Sequence, residues 1–313
     1  MSLAFVFPGQ GSQSVGMLSQ LATTFPHVQA TFSEASDVLG YDLWRLVSDG
    51  PVDALNQTER TQPAMLAAGI AVWRSWQSVT DITPSFLAGH SLGEYTALVA
   101  AGAMQFSDAI KLVEQRGLFM QQAVPVGSGA MAAVLGLGDD IVRDICSQAS
   151  ANGIVEAVNF NSPGQVVIAG EAPAVNVAIE LAKEQGAKRA LLLPVSVPSH
   201  CALMKPAAEQ LAVVLADISI QVPTIPVIHN VSVTNESNSE NIKRLLTEQL
   251  YSPVRWVETV QSFAAQGVDT LIECGPGKVL AGLTKRIDKS VVGLAVYDQT
   301  SLEKAIQKLG EES

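Results

Sequence analysis

A serine stands at the centre of a G-H-S-L-G pentapeptide at residues 89–93. An apolar run at 85–88 precedes the pentapeptide, and a helix-like stretch at 94–104 follows it. A strand that turns sharply into a helix at a serine holds the hydroxyl exposed and strained, and the glycines let strand and helix approach each other. The turn also directs the backbone N–H of Leu92 toward an oxyanion forming beside the serine. The pattern predicts that Ser91 is a nucleophile; the alternative is a helix N-cap serine between two packing glycines.

A serine nucleophile needs a base within hydrogen-bond reach, and histidine is the usual base near neutral pH. Among the four histidines, His27 lies on an early surface helix, His90 points away from the hydroxyl, and His229 lies in or at the end of a strand. His200 follows a proline-flanked passage from strand to loop, where loops above a parallel sheet usually carry chemistry. We predict His200 as the base; the alternative is a buried, hydrogen-bonded loop histidine. No acid that could orient this base stands out between Ser91 and His200.

Arg116 is the second residue that could do chemistry. It lies on a mostly apolar helical stretch and is followed directly by Gly117. A guanidinium on a buried face needs an anion, and its planar fork matches a carboxylate with two hydrogen bonds. Arg116 is therefore a candidate carboxylate-binding residue; the alternative is an internal ion pair with Glu114 or Glu94.

Gln10 lies in the G-Q-G-S-Q loop at 9–13, where the first predicted strand ends, on the face where Ser91 is expected. Its backbone N–H could complete an oxyanion hole with that of Leu92. The alternative is a phosphate loop, but neither this loop nor the G-P-G-K segment at 275–278 fits a complete nucleotide-binding pattern. Cys201, beside the histidine, is interpreted as a packing residue because adjacent side chains seldom face each other productively.

Short apolar runs alternate with longer amphipathic or Ala-rich stretches, which is typical of an α/β protein. In the first part we predict strands at 3–7 and 85–88 and helices at 18–39 (broken near Pro26), 64–77, 94–104 and 106–124. A Pro/Gly/Ser segment at 125–129 indicates a domain crossing. Beyond it, strands at 131–136, 154–160, 165–169 and 189–193 and helices at 139–150 and 172–185 follow the βαββαβ order of ferredoxin-like domains. The last predicted elements are helices at 203–215, 242–250 and 253–266 and strands at 227–231 and 270–273.

This order predicts a large α/β domain with a parallel sheet, made of residues 1–127 and 197–313, and an inserted ferredoxin-like domain at 128–196. The 313 residues, 48% of them hydrophobic, are enough to bury a core of that size. The boundaries follow from the Pro/Gly/Ser segment and from the return of the chain before His200.

Composition excludes several classes of protein. The net charge of −11 argues against nucleic acid and anionic membranes as main partners. Three widely spaced cysteines, Cys146, Cys201 and Cys274, fit a reducing compartment and predict neither a disulfide framework nor a metal site. The first basic residue is Arg45, so the N-terminus lacks the charged region of a signal peptide, and the longest apolar runs are too short to span a bilayer. We predict a soluble, cytoplasmic protein.

Taken in order, these motifs resemble those of the malonyl-CoA:acyl-carrier-protein transacylases, the stand-alone enzymes of dissociated (type II) fatty-acid synthesis. The similarity covers nearly the whole chain, through F-V-F-P-G-Q-G-S-Q at 5–13, G-H-S-L-G-E-Y at 89–95, R-G at 116–117, N-F-N-S-P-G-Q at 159–165, V-S-V-P-S-H at 195–200 and G-P-G-K-V-L at 275–280. It implies an α/β-hydrolase-like large domain with a ferredoxin-like insertion. It also implies that a backbone carbonyl, here that of Gln249, orients the base, which accounts for the missing acid.

The resemblance implies a ping-pong reaction that supplies malonyl-carrier protein for fatty-acid elongation. Ser91, activated by His200, would take the malonyl group from malonyl-CoA, and the phosphopantetheine thiol of acyl carrier protein would then accept it. Backbone N–H groups of Gln10 and Leu92 would hold the oxyanion. Arg116 would pair with the malonyl carboxylate, because an acetyl group would leave a buried guanidinium without a partner.

Further expectations concern the cleft and the partners. The resemblance implies that Asn161 and Gln165 line the cleft between the domains, with Asn161 in contact with substrate. It implies no bound cofactor, since malonyl-CoA is a substrate and phosphopantetheine arrives on the carrier protein, a transient partner of a monomer. Because such carrier proteins are acidic, we predict a basic rim around the cleft; the alternative is ordinary solvated side chains. The basic rim comprises Lys183, Lys188, Arg189, Lys278, Lys285 and Arg286.

Two rival functions remain open. One is a serine hydrolase or thioesterase, which would use the same Ser91 and His200 with water as the acceptor; Arg116 and the absent acid count against it. The other is a carrier-protein-binding module without chemistry, which the presence of all three residues makes a poor explanation.

Overall fold

A computed structural model describes residues 2–195 and 197–311. Its strands are β1 (Leu3–Phe7), β2 (Phe86–Gly89), β3 (Gly129–Leu135), β4 (Val155–Ser162), β5 (Gln165–Glu171), β6 (Arg189–Leu192), β7 (Val227–Ile228), β8 (Thr270–Cys274) and β9 (Val292–Val296). Its α-helices are α1 (Ser19–Thr24), α2 (Pro26–Leu39), α3 (Leu43–Asp49), α4 (Val52–Leu55), α5 (Thr58–Gln77), α6 (Gly93–Ala100), α7 (Phe106–Gln122), α8 (Asp139–Ala149), α9 (Ala172–Glu184), α10 (Lys205–Ala216), α11 (Ser239–Glu248), α12 (Trp256–Ala265), α13 (Val279–Ile287) and α14 (Gln299–Glu311). Outside the described residues lie Met1, Ser196 and 312–313. Met1 and 312–313 are the two ends of the predicted large domain, and Ser196 is the last residue of the predicted insertion.

A parallel sheet with the strand order β7-β2-β1-β8-β9 forms the centre of the large domain. Every residue of β1 is buried, because both faces of this sheet are covered by helices. Phe5 and Phe7 point into the core that includes α5 and α7, whereas Ala4 and Val6 point into the core that includes α12 and α13. Phe7 pairs with Gly89 in register, so the segments that follow β1 and β2 emerge side by side at one end of the sheet.

A second, antiparallel sheet with the order β4-β5-β3-β6 forms the small domain. With α8 and α9 its chain order is βαββαβ, and the predicted fold class is therefore confirmed for both sheets. One face of this sheet packs against α8 and α9. Met131, Val158 and Val167 on the other face pack against Cys201, the neighbour of His200. The small domain thus closes over the segment that carries the candidate base; the exact boundaries of the insertion stay a prediction.

The longest described helix, α5, packs between α2 and α7 and is buried along most of its length. It carries Gln62, a polar residue that is 1% exposed and faces the candidate site. Within residues 2–195 and 197–311, no helix combines the length and the apolar character needed to cross a membrane.

Several predicted elements differ in their bounds. The strand predicted at 227–231 ends at Ile228, because His229 and Asn230 turn away to bind other groups. The helix predicted at 253–266 begins only at Trp256, and the helix after Ser91 ends at Ala100 rather than at 104. The elements α3, α4, α13, β9 and α14 had no counterpart in the prediction.

Candidate active site

The chain turns from β2 into α6 at Ser91, which has a φ of 53°. This left-handed conformation is strained for a serine and pushes its side chain out of the turn. Glycine is required on both sides of it by close packing. A Cβ at Gly89 would lie 1.8 Å from the Gly93 carbonyl carbon, and one at Gly93 would lie 2.0 Å from the Phe7 oxygen. The pentapeptide therefore forms the strand-turn-helix geometry that its sequence predicts.

His200 lies beside this serine, with 2.8 Å between Ser91 Oγ and His200 Nε2. The other ring nitrogen, Nδ1, lies 2.7 Å from the main-chain oxygen of Gln249. Because a carbonyl oxygen only accepts, Nδ1 carries the proton and Nε2 is left to accept from the serine hydroxyl. Burial, reinforced by the nearby Arg116 guanidinium, lowers the pKa of His200 to about 3. The imidazole is therefore neutral at physiological pH, as a base must be.

Arg116 is 1% exposed and reaches the same serine. Its Nη1 donates to Gln62 Oε1 at 2.8 Å, while Nη2 donates to Gln249 Oε1 at 3.0 Å and to Ser91 Oγ at 3.3 Å. Among the described residues no carboxylate lies within 4.0 Å of this guanidinium; Glu114 instead lies 3.9 Å from Arg60. Neither ion pair weighed from the sequence is formed. Burial lowers the pKa of Arg116, and its Nε has no hydrogen-bond partner in the described part of the chain.

The backbone N–H groups of Gln10 and Leu92 form the predicted oxyanion hole. Both residues line the same cavity as Ser91, and Leu92 is the N-cap residue of α6. Neither N–H has a hydrogen-bond acceptor among residues 2–195 and 197–311. The N–H of Ser91 is different, since it donates to Asn230 Oδ1 at 2.7 Å. Two residues that line the cavity of Ser91 thus have backbone N–H groups without an acceptor in the described structure, as the predicted oxyanion hole requires.

The cavity, of about 120 Å³, lies between the two domains. The large domain contributes the site residues already described: Gln10, Ser91, Leu92, Arg116 and His200. The small domain and the segment after it contribute Met131, Asn159, Leu193 and Val195. Asn159 Oδ1 is buried without a hydrogen-bond partner in the described structure. Apolar and polar residues contribute about equally to its lining, which suits a small organic substrate that carries polar groups.

Asn161 differs from its predicted place. It lies within β4, which runs on to Ser162, and it does not line the cavity. Its Oδ1 lies 2.9 Å from Nε2 of His90, a cavity residue, so Asn161 connects the small domain to the pentapeptide. Gln165, the other predicted cleft residue, accepts a hydrogen bond from Arg286 at 3.2 Å.

The cysteines take no part in this arrangement. All three are buried as free thiols, and Cys201 Sγ donates to the Pro198 carbonyl at 3.1 Å. Burial raises the pKa of Cys201 to about 12, so the thiol stays protonated. Within the described residues, no three His, Cys, Asp or Glu side chains are grouped so that they could hold a metal ion.

Sequence reasoning missed three residues that the structure connects to the site. Gln62 binds Arg116, Asn230 binds the backbone of the turn at residues 89–93 (the elbow), and Asn159 lines the cavity. Two of them had a sequence signal: Asn159 begins the motif at 159–165, and Asn230 follows His229 near the carboxyl end of a predicted strand. Gln62 lies within a helix and gives no local sign of its partner 54 positions away.

This fold and this elbow are those of an acyltransferase, and residues 4–306 match the family model described as acyl transferase domain. The malonyl CoA-acyl carrier protein transacylase of Haemophilus influenzae is 59% identical over 299 residues, which cover 95% of this chain and 96% of that protein. At this identity over nearly the whole length, the chain belongs to the malonyl CoA-acyl carrier protein transacylase family. The resemblance seen in the sequence motifs is confirmed.

Two solved structures agree with this assignment. An acyl carrier protein S-malonyltransferase from Vibrio cholerae is 61% identical, with a TM-score of 0.95 over 97% of this chain and 100% of that one. A complex described as a type II PKS acyl-carrier protein with its malonyl-transacylase contains a chain that is 56% identical, with a TM-score of 0.97 over 98% of this chain and 100% of that one.

Proposed function

We propose that this chain transfers the malonyl group of malonyl-CoA to the phosphopantetheine thiol of acyl carrier protein and so supplies fatty-acid elongation. The observation that carries the proposal is the buried Arg116 guanidinium, which reaches Ser91 Oγ and has no carboxylate within 4.0 Å in the described structure. A malonyl thioester offers a carbonyl to the serine and a free carboxylate to the arginine. Membership of the transacylase family supports the same reaction.

In the first half-reaction, Ser91 Oγ attacks the thioester carbon while His200 Nε2 takes the hydroxyl proton. The N–H groups of Gln10 and Leu92 stabilise the tetrahedral oxyanion. The C–S bond then breaks, coenzyme A leaves with the proton from His200, and a malonyl-serine ester remains. The Gln249 carbonyl keeps the proton on Nδ1 and stabilises the imidazolium that forms in passing.

The second half-reaction repeats these steps with the carrier-protein thiol as the nucleophile. His200 takes the thiol proton, the sulfur attacks the ester carbon, and Ser91 leaves with the proton returned to its oxygen. Arg116 holds the malonyl carboxylate throughout. Asn161 contributes through His90 rather than by lining the cavity itself. No group other than the two substrates is consumed; the cytoplasmic location and monomeric state stay predictions.

Intact-mass measurement after brief exposure to malonyl-CoA tests this function. We expect one malonyl-sized adduct that acyl carrier protein discharges, with no adduct from acetyl-CoA under the same conditions. The Ser91→Ala variant should form none, whereas the matched Ser147→Ala variant, altered in an exposed serine on α8, should form it normally. Steady release of coenzyme A without an adduct or acceptor would indicate a hydrolase. Neither an adduct nor release would indicate a binding module.

The basic rim is proposed as the docking surface for the carrier protein. One row across the small sheet contains Gln165, Leu135 and Arg189 on three neighbouring strands. Arg286 of the rim donates a hydrogen bond to the Gln165 side chain of this row. This row is four residues along β3 from Met131 of the cavity wall, or about 13 Å at the rise of a strand. An acidic partner bound there would have its attachment site near the cavity. The related complex of a carrier protein with its malonyl-transacylase supports such a partner.

Charge reversal tests the rim. Lys188→Glu combined with Arg189→Glu, two exposed positions, should slow discharge of preformed malonyl-serine by carrier protein about tenfold at low salt, and less at high salt. The control is Lys243→Glu with Arg244→Glu on α11, which makes the same change in net charge outside the rim. Equal discharge rates for both double variants would show that the rim does not dock the carrier protein.

A further inference from the structure

Glu94 is a buried acid directly behind the nucleophile. It lies in the first turn of α6, three residues after Ser91, and is 1% exposed. Its Oε1 lies 2.7 Å from His229 Nδ1, and its Oε2 accepts from the Asn230 backbone N–H at 2.9 Å and from Gln249 Nε2 at 2.7 Å. A buried carboxylate with three short contacts to donors is held firmly and holds its donors equally firmly. The mechanism above gives it no role.

One of these donors leads to the nucleophile. The Asn230 side chain bridges the elbow: its Oδ1 accepts the Ser91 N–H at 2.7 Å, and its Nδ2 donates to the Gly89 carbonyl at 2.7 Å. The bridge spans the turn in which Ser91 has its left-handed conformation. Because Glu94 fixes the backbone of Asn230, it also fixes the position from which this bridge is made.

A second donor leads to the base and to the guanidinium. Gln249 accepts from His200 through its main-chain oxygen at 2.7 Å and from Arg116 through its side-chain Oε1 at 3.0 Å. Its Nε2 donates to Glu94 and to the Ser91 carbonyl, the latter at 3.0 Å. A carboxamide has one accepting and one donating end, so a carboxylate on the nitrogen side decides that the oxygen faces Arg116. With the amide reversed, two donors would oppose each other.

We propose that Glu94 is the positioning residue of this active site, orienting the nucleophile, the base and the guanidinium together through Asn230 and Gln249. This inference rests on the proposed function. The acid that a serine–histidine pair usually requires is thus present, but it acts through the residue whose carbonyl binds the imidazole. Its negative charge also partly counteracts the lowering of the Arg116 pKa that burial causes.

The Glu94→Gln variant tests the proposal because it keeps the shape and removes one acceptor. The amide lacks the carboxylate charge and has one accepting oxygen instead of two. The hydrogen bonds that hold Asn230 and Gln249 are therefore weaker, and we expect His200 to lose its alignment. Formation of the malonyl adduct per folded molecule should slow about 100-fold, the usual effect of a misplacement near 1 Å. The matched control is Glu273→Gln, another fully buried glutamate, which lies in β8, accepts from the Ala281 N–H of α13 and does not line the cavity; it should acylate normally.

Two further readouts separate positioning from general support of the fold. In spectra of protein labelled with ¹⁵N-histidine, His200 should have its proton on Nδ1 in the wild type and a mixed or altered signal in Glu94→Gln. Gln249→Met removes the side-chain amide but keeps the main-chain carbonyl. In a protein that already carries Gln249→Met, Glu94→Gln should slow acylation much less than it does in the wild type. If Glu94→Gln does not fold, Gln249→Met breaks the same contact from the other side and should also slow acylation about 100-fold.

Acylation of Glu94→Gln at the wild-type rate would overturn the proposal. The proposal would also be overturned if the effects of Glu94→Gln and Gln249→Met on the acylation rate were fully additive and the ¹⁵N signal of His200 were unchanged. If the wild type itself formed no adduct, the proposed function would fail instead, and the His200 signal would still decide whether Glu94 orients the base.

Discussion

Replacement of Arg116 with methionine is expected to remove the preference for malonyl-CoA over acetyl-CoA. Methionine fills a similar volume but offers no partner to the malonyl carboxylate, which would enter a buried site without its cation. Loss of one member of a buried charge pair costs about 3–5 kcal/mol, so kcat/KM for malonyl-CoA should fall about 10³-fold. Acetyl-CoA should react faster than with the wild type, since no unpaired guanidinium remains in the site. Adduct formation from each thioester, followed by intact mass, measures both changes.

The control for this variant is Arg244→Met, an exposed arginine on α11 that pairs with Glu248. It removes the same charge without touching the cavity and should leave the malonyl-to-acetyl ratio unchanged. Thermal melts of both variants separate an effect on the site from an effect on folding. An Arg116→Met protein that still selects malonyl-CoA would mean that another group binds the carboxylate.

The elbow could be predicted from the sequence because its geometry is local. Five residues determine the turn at Ser91, and only glycine fits at 89 and 93, where the nearest backbone atoms would lie 1.8 and 2.0 Å from a Cβ. The alternation of apolar runs with longer amphipathic stretches likewise predicted the two sheets, including the βαββαβ order of the small domain. Both signals operate over a few residues or a regular period.

The network around the elbow could not be predicted, because its contacts are distant in sequence. Glu94 and Gln249 are 155 positions apart, and Glu94 and Asn230 are 136 apart. The sequence indicates Glu94 only as an alternative ion-pair partner of Arg116, whereas in the structure the Gln249 side-chain amide lies between them and contacts both. The same contacts explain why β7 ends at Ile228, since the next two residues donate to Glu94 instead of continuing the strand.

Replacement of His200 with alanine is expected to reduce the rate of malonyl adduct formation roughly 10⁵-fold, because the serine hydroxyl then has no base. His27→Ala, on an exposed face of α2, is the matched control and should acylate normally. In the wild type, burial and the neighbouring Arg116 lower the pKa of His200 to about 3. The neutral form is the base, so a lowered pKa keeps the enzyme active as the pH falls. Acylation should therefore stay nearly constant from about pH 7 to about pH 5.

The same shift has the opposite effect on stability. Below about pH 6.5 the unfolded chain protonates this histidine and the folded chain does not, so the free energy of unfolding decreases as the pH falls. Rates must therefore be measured per folded molecule, with a melt at each pH. Because Arg116 contributes to the lowered pKa, Arg116→Met should move the acidic limit of acetyl transfer to higher pH. An acidic limit of the wild type near pH 6.5, the ordinary pKa of histidine, would contradict a buried, neutral His200 as the base.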